Sequence, residues 1–290
     1  MQHFADQADH ASERSKAKDL QAPALTDSAQ ALPLVRVDNV SHRYPGTNSA
    51  RRLAVENVSF DVTPGEFVCL VGASGCGKST LLRILAGLIE PTTGTVYVDG
   101  QAVRRPGADR GMVFQEYAVF PWMTVRKNVE YGLRLKGVPA AKRRELAEDW
   151  LQKVGLPGVG NHYPKSLSGG MKQRVAVARA LAPEPRILLM DEPFAAVDAI
   201  QRKELQEELR AIWEKTGITI VFVTHAINEA LFLGTRVVVL EHQRGRLVAD
   251  LPIPEHGIGE ASESIFSAPQ FVELRLLVES KLRNGGNDVK

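Results

Sequence analysis

The chain contains the stretch Gly72-Ala73-Ser74-Gly75-Cys76-Gly77-Lys78-Ser79 directly after an apolar run over residues 67–71. A glycine, four residues and then Gly-Lys-Ser form the Walker A pattern. Glycines let the backbone wrap a phosphate without Cβ clashes, and the amide N–H groups at a helix N-terminus point at its oxygens. An apolar helical pattern from Ser79 to Leu88 supplies that helix. A strand, this loop and a helix in that order predict a phosphate-binding loop.

Several side chains of the phosphate loop have predicted roles. Lys78 would place a positive charge on the terminal phosphates, and the Ser79 hydroxyl would bind Mg²⁺, which keeps several waters and takes few protein ligands. We expect the whole stretch 72–79 and the next residue, Thr80, to contact the nucleotide. Cys76 occupies a variable position, and its place at a helix start predicts a lowered thiol pKa.

Two adjacent acids, Asp191 and Glu192, follow the apolar strand predicted over residues 187–190. Ligands of open α/β sheets bind at the carboxyl ends of strands. Asp191 would hold Mg²⁺ through its water shell, and Glu192 would orient or deprotonate the attacking water. The alternative is that one acid only caps a helix.

Two further polar residues are predicted at strand ends. Gln115 follows the strand expected over residues 111–114, and its amide can reach Mg²⁺ or the attacking water. His225 follows the strand expected over residues 218–224, where an imidazole can contact the γ-phosphate. A lone histidine is more often structural, but all these groups together fit nucleotide hydrolysis by positioning and charge stabilisation.

Strands and helices alternate along the chain, which predicts an α/β fold with a largely parallel sheet. Residues 1–33 have the composition of a disordered N-terminal extension. The sequence pattern becomes helical over about 116–167, which predicts a helical insertion. Its basic residues form either a solvated face or a binding patch. An amphipathic helix led by Pro269 is expected over residues 270–283, within a C-terminal segment 252–290.

A second glycine segment, Leu167-Ser168-Gly169-Gly170-Met171-Lys172-Gln173-Arg174, opens another predicted helix. Ser168 is a plausible N-cap, and Gly169 and Gly170 would expose backbone amides at the positive end of the helix dipole. This is a second anion site in a chain that already has a phosphate loop. Together with the other motifs, it makes the sequence resemble the nucleotide-binding subunit of an ATP-binding cassette (ABC) transporter over roughly 34–251.

The resemblance implies a P-loop ABC ATPase fold with a mostly parallel sheet, an antiparallel β part and a helical subdomain. It also implies a head-to-tail homodimer in which each ATP, with Mg²⁺, lies between the phosphate loop of one chain and Ser168, Gly169 and Gly170 of the other. By the same resemblance Tyr44 stacks on adenine and Asp198 belongs to the D-loop. Gln115 and His225 match the Q-loop glutamine and the switch histidine.

The sequence departs from the family pattern at three places. Met171 stands where many members have glutamine, Ala195-Ala196-Val197 where Ser-Ala-Leu is commoner, and Ala226 where an aspartate is usual. None of these removes a group needed for hydrolysis, although Ala226 could alter the switch.

Residues 113–122, Val-Phe-Gln-Glu-Tyr-Ala-Val-Phe-Pro-Trp, are similar to the importer branch that serves nitrate, sulfonate, taurine or bicarbonate uptake. This resemblance implies an integral membrane permease as partner, a solute-binding protein acting indirectly outside the membrane, and a peripheral location at the cytoplasmic face. Tyr117, Phe120 and Trp122 either line a groove for the permease or pack the core of the helical insertion.

Composition narrows the alternatives. The 290 residues are 44% hydrophobic and 24% charged with a net charge of +2, which argues against bulk attraction to nucleic acid. No run approaches the roughly 18 apolar residues of a membrane span. Cys69 and Cys76 form neither a disulfide framework nor a metal pattern. The alternative function is a soluble ABC ATPase acting on DNA or ribosomes. A third alternative is a phosphate-loop kinase or GTPase outside the cassette family. The sequence shows no Asn-Lys-x-Asp motif for reading guanine, and that alternative would leave residues 168–170 unexplained.

Overall fold

The computed structural model describes residues 32–45, 52–254 and 262–284. The predicted N-terminal extension lies outside these ranges except for its last two residues. The strands are β1 Val35–Tyr44, β2 Arg52–Val62, β3 Phe67–Val71, β4 Thr93–Val98, β5 Gln101–Ala102, β6 Arg110–Val113, β7 Ile187–Asp191, β8 Thr219–Thr224, β9 Arg236–Leu240 and β10 Leu247–Pro252. The helices are α1 Lys78–Leu85, α2 Val125–Leu135, α3 Ala140–Lys153, α4 Gly169–Leu181, α5 Ala199–Thr216, α6 Ile227–Leu233, α7 Ser262–Ser267 and α8 Pro269–Asn284.

The central sheet within these ranges has six strands in the order β10-β9-β3-β8-β7-β6. Its strands are parallel except for β10, which pairs antiparallel with β9. β3, β7 and β8 are buried at every position, which explains why they read as continuous apolar runs. Parallel strands bring the carboxyl ends of β3, β6, β7 and β8 to one edge of the sheet.

A second, antiparallel sheet has four strands in the order β2-β1-β4-β5. The order of the chain explains why it forms, since β1 and β2 precede the phosphate loop and β4 follows α1. β1 pairs with both β2 and β4, with Val35 opposite Val62 on one side and Val98 on the other. The short strand β5 has no counterpart among the elements predicted from the sequence.

Two apolar clusters cover the two faces of the central sheet. Alternate residues of β3 point to opposite faces, so Phe67, Cys69 and Val71 join one cluster while Val68 and Leu70 join the other. The first cluster packs against the helices after β6, and the second packs against α1 and the antiparallel sheet. Helix α1 is therefore clamped between two sheets, which fixes the phosphate loop at its start.

Helices α2 and α3 lie between β6 and β7 and pack on α4. Thr124 caps α2, because its side chain accepts a hydrogen bond from the N–H of Lys127. The basic residues here have local acidic partners: Arg126 lies 3.4 Å from Glu130 and Lys142 lies 2.7 Å from Glu145. These contacts favour a solvated, ion-paired face over a binding patch.

The described part of the C-terminal segment contains α7 and α8, and only α8 was predicted. Phe271 and Val278 of α8 are buried against α6, β9 and β10, as their helical spacing predicted. Among the described residues, no helix combines the length and the apolar character that crossing a bilayer requires.

Candidate nucleotide site

The predicted site residues meet at one edge of the central sheet. β3 leads into the phosphate loop, β6 into Gln115, β7 into Glu192 and β8 into His225. A pocket of about 330 Å³ opens there. It is lined by Tyr44, Ala54, Ser74, Gly75, Gly77, Lys78, Ser79, Thr80, Gln115 and Glu192. Ala54 was not predicted as a site residue. It lines the pocket only because β2 lies next to the phosphate loop, and an alanine in a strand gives no sequence signal for this.

The phosphate loop enters α1 through Gly77, whose φ of +104° suits glycine alone. A Cβ at this position would overlap the carbonyl oxygen of Ala54. Gly77 is also the N-cap of α1 and provides no side-chain cap. The first turn of α1 thus presents its backbone amides together with the positive end of the helix dipole.

Lys78 is the buried cation of the pocket, with 4% of its surface exposed. Its Nζ donates to the carbonyl oxygens of Gly72 at 2.7 Å and Ala73 at 3.1 Å. The same nitrogen lies 3.8 Å from Glu192 Oε1. Gly72 and Ala73 therefore hold the lysine with their carbonyl groups and do not themselves line the pocket.

Ser79 and Asp191 form the oxygen pair predicted for Mg²⁺. The Ser79 hydroxyl donates to Asp191 Oδ1 at 2.7 Å, joining α1 to the end of β7. Burial raises the pKa of Asp191, and the hydrogen bond from Ser79 and the charge of Arg83 oppose that shift. Two hard oxygen donors beside a phosphate loop, with Gln115 also lining the pocket, fit the ligand preference of Mg²⁺.

Glu192 follows β7 with a φ of +43°, a left-handed backbone that non-glycine residues rarely adopt. Its N–H donates to the carbonyl of Val223 on the neighbouring strand, at 3.0 Å. The Glu192 side chain lines the pocket, and its Oε2 lies 3.0 Å from Nδ1 of His225. Strain at a residue held this firmly is typical of functional positions.

Tyr44, the predicted adenine contact, is also among the residues that line the pocket. Its hydroxyl is 3.3 Å from Thr80 Oγ1, and His42 packs edge-on against its ring at 4.6 Å between centroids. The half-buried ring therefore has a defined place above the start of α1.

The expectation about Cys76 was wrong. Burial raises the pKa of its thiol, and the nearby charge of Lys78 only partly opposes this. The side chain is 1% exposed and packs in the cluster beneath the antiparallel sheet. A helix start lowers a thiol pKa only where water can also reach the thiolate. Both cysteines are free and buried.

The second glycine segment lies elsewhere, and Ser168, Gly169 and Gly170 are not among the residues that line the pocket. Ser168 is the N-cap of α4, as predicted, because its hydroxyl accepts from the N–H of Met171 at 3.2 Å. Ser168 itself is exposed. A Cβ on Gly169 would lie 2.8 Å from the hydroxyl of Tyr117, which itself donates to Ala196 O at 3.3 Å.

Asp198 lies just before α5 and caps it, since its Oδ1 accepts from the N–H groups of Ile200 and Gln201. It is not among the pocket-lining residues. Ala226 is the N-cap of α6 and offers no side-chain cap, whereas an aspartate at that position could have supplied one. His225 therefore immediately precedes a helix whose N-cap residue provides no side-chain cap.

Comparisons with known proteins cover most of the chain. Residues 55–195 match the family model described as ABC transporter. The chain is 48% identical over 235 residues to a nitrate import ATP-binding protein of Synechocystis sp., covering 80% of this chain and 88% of that protein. It is 46% identical over 247 residues to a taurine import ATP-binding protein of Chromobacterium violaceum, covering 84% and 94%.

Solved structures agree with the fold. A dimeric, post-hydrolysis ATP-binding cassette bound to ADP and Pi matches with a TM-score of 0.68 and 35% identity, over 77% of this chain and 100% of that one. The sheet order, the motifs at its carboxyl edge and these relatives together show that the chain belongs to the ABC transporter family, as an ATP-binding subunit.

Proposed function

We propose that this ABC ATPase drives import of a small solute of the nitrate, sulfonate or taurine class through a separate membrane permease. The supporting observation is the likeness, at 48% and 46% identity, to ATP-binding proteins named for nitrate and taurine import. Both matches extend well beyond the motifs, covering 80% and 84% of the chain. No observation favours action on DNA or ribosomes.

Hydrolysis depends on groups that this chain supplies. Lys78 places its charge at the phosphate loop, beside the amides of the first turn of α1. Glu192 serves as the base that orients the attacking water, because its carboxylate faces the same pocket. His225, 3.0 Å from that carboxylate, holds Glu192 in place and senses the γ-phosphate. Gln115 contributes an amide from the end of β6.

Ser79 and Asp191 are the residues that would hold Mg²⁺, with Gln115 as a further ligand. Bound there, the ion would neutralise negative charge on the terminal phosphates during transfer to water. Asp191 must be ionised for this role. Keeping its carboxylate ionised costs free energy in the metal-free protein, because burial removes it from water.

The separation of the second glycine segment from the pocket supports a homodimer. Ser168 is exposed and Gly169 and Gly170 begin a helix whose dipole favours an anion, yet they do not line the pocket of their own chain. A second copy in head-to-tail orientation would bring this segment to the nucleotide. Asp198, at the start of α5, would lie near the same contact.

The permease would dock on a groove of about 460 Å³ beside α2, whose lining includes Phe120, Tyr131 and Arg179. The sequence left two interpretations of the aromatic residues open, packing within the helical insertion and contact with the permease, and they apply to different residues. Phe120 packs on Tyr131 with 4.7 Å between ring centroids, whereas Trp122 is 71% exposed. Trp122 does not line the groove but packs beside it, with 5.6 Å between its ring centroid and that of Phe120. It is therefore the better anchor, and docking there would put the subunit at the cytoplasmic face of the membrane. A solute-binding protein would act through the permease.

Uptake measurements test this function directly. In a strain lacking the protein, we expect uptake of at least one of nitrate, taurine and alkanesulfonates to be lost, and wild-type protein but not Glu192→Gln to restore it. Normal uptake of all three, with the protein recovered on ribosomes or DNA, would establish the non-transport alternative. Trp122→Ala should impair uptake and permease association while ATP binding is kept, and Leu276→Ala on α8, also an exposed apolar residue, is the matched control.

A further inference from the structure

A buried carboxylate that no motif accounts for, Glu229, lies in the first turn of α6, four residues after the switch histidine. It is 9% exposed. With Ala226 as N-cap, Glu229 occupies the third helical position, from which a glutamate can reach back to the N-cap backbone in a capping box. Here Glu229 is connected to the Ala226 N–H indirectly, through a hydroxyl group that lies between them.

That hydroxyl belongs to Thr224, the last residue of β8, which is 2% exposed. The Ala226 N–H donates to Thr224 Oγ1 at 3.0 Å, and the Thr224 hydroxyl donates to the carboxylate of Glu229. Thr224 and Ala226 are the two neighbours of His225. Since the His225 side chain is 61% exposed, this relay fixes the backbone from which its imidazole projects toward Glu192.

Glu229 also contacts the helix that begins at Asp198. Gln206 Nε2 on α5 donates to Glu229 Oε1 at 2.7 Å. One turn earlier, Arg202 donates to the carbonyl of Val197 at 2.9 Å, and its charge acts on the same carboxylate. The carboxylate therefore has one hydrogen bond to Thr224, at the end of β8, and one to Gln206, on α5.

The charges and hydrogen bonds around Glu229 only partly offset the effect of its burial. Burial raises the pKa of Glu229, while the hydrogen bonds from Thr224 and Gln206 and the charges of Arg202 and His225 oppose the shift. A carboxylate can accept from both donors at once, whereas a glutamine amide must turn its NH₂ toward one of them. The two-sided connection needs an acid at this position.

We infer that Glu229 is a positioning residue for ATP hydrolysis, which holds the His225 loop and ties it to α5 so that His225 and Asp198 shift together. This inference rests on the proposed role of His225. The expected signature of Glu229→Gln is a fall in kcat of about tenfold with KM for ATP little changed, because misplacing a group costs rate more than binding.

Steady-state hydrolysis by the full-length chain tests this, with thermal melts of every variant. Thr224→Val, which removes the relay hydroxyl, should match Glu229→Gln, and Thr224→Ser should stay near wild type. Asp250→Asn is the control, because that carboxylate is also held by a polar partner, 3.0 Å from Arg236, but lies on the edge strand β10. It should leave kcat unchanged.

A double-mutant cycle separates positioning from general stability. If Glu229 acts through His225, Glu229→Gln should cause no further loss of kcat in a His225→Ala background. An equal fractional loss in both backgrounds, or wild-type kcat for Glu229→Gln or Thr224→Val, would overturn the inference while leaving the proposed role of His225 intact. Wild-type hydrolysis by His225→Ala would overturn both.

Discussion

Two helix N-termini in this molecule carry glycines, and they are built differently. At α1 the N-cap is Gly77, which has a left-handed backbone and no side-chain cap, and the turn lies within a pocket. At α4 the N-cap is Ser168, whose hydroxyl takes the N–H of Met171, and the residue is exposed. The first is a pocket with its own cation, Lys78, while the second has a dipole and a hydroxyl on an open surface.

The difference shows that a glycine-rich helix start is a binding site only with the groups that surround it. Around α1 the chain places a cation, an oxygen pair and a base. Around Gly169 and Gly170 it places neutral groups, namely the hydroxyls of Ser168 and Tyr117 and the side-chain amide of Gln201. We therefore expect α1 to bind nucleotide within one chain, and α4 to contribute only after two chains meet.

The largest effect should come from removing the cation of the first site. Lys78→Ala should lower ATP hydrolysis on the order of 1,000-fold, because a buried donor aimed at developing charge is lost. Nucleotide binding to the monomer should fall as well. Titration calorimetry with ATP and a phosphate-release assay measure the two effects, and Lys281→Ala on α8 is the control. Near-normal turnover would remove Lys78 from the site.

Glu192→Gln should allow ATP binding but not hydrolysis. The dimer should then persist, with the N-terminus of α1 in one chain close to the N-terminus of α4 in the other. We expect kcat to fall by roughly 100-fold or more, since a positioned base contributes about that much. ATP should still bind, and dimers should accumulate with ATP in light scattering. Glu184→Gln is a matched control, because Glu184 is also a left-handed glutamate but lies on an exposed turn. A monomeric variant with normal hydrolysis contradicts the assignment.

Ser168→Ala should affect only the second N-terminus. We expect about a tenfold loss of ATP-driven dimerisation, the worth of one hydrogen bond, with ATP binding to the monomer unchanged. Loss of the N-cap should also cost about 1 kcal/mol of stability. Thr124→Ala removes an equivalent cap from α2 and should lower the Tm similarly without affecting dimerisation. Equal dimerisation by both variants would show that α4 contacts no nucleotide.

The smallest expected effect is on folding stability, and it comes from the buried carboxylate of Asp191 in the first site. Because burial raises the pKa of Asp191, its ionised form destabilises the fold at pH values above that folded pKa. Asp191→Asn should therefore stabilise the metal-free protein at neutral pH by an amount on the order of 1 kcal/mol, or about 2–4 °C in Tm. As the pH falls through the folded pKa, wild type becomes protonated and the difference should shrink. A lower Tm for the variant at neutral pH contradicts this.

Much of the fold follows from local patterns in the sequence. The buried parallel strands were predicted because they are short, uninterrupted apolar runs, and β3 was predicted at its observed bounds, Phe67–Val71. The N-cap at Ser168 was predicted because the hydroxyl precedes a helical pattern. Residues at strand ends converge because parallel strands share one edge. The roles assigned to those residues remain predictions.

The features missed by sequence depend on tertiary contacts. Cys76 was assigned a lowered pKa from its position in the chain, but its pKa depends on the apolar cluster that covers it. The left-handed backbone of Glu192 is imposed by the hydrogen bond to Val223. Helix α6 was missed because it has seven residues and an alanine N-cap, so it carries no start signal. Glu229 passed unnoticed for the same reason.

The hydroxyl of Tyr117 lies next to two separate segments of the chain. It bonds to the carbonyl of Ala196 and stands where a methyl group on Gly169 would have to go. A single ring, two residues after Gln115, thus touches the segments leading into both α4 and α5. We therefore expect Gly169→Ala to displace the Tyr117 hydroxyl from Ala196 and so to reduce uptake before nucleotide affinity changes.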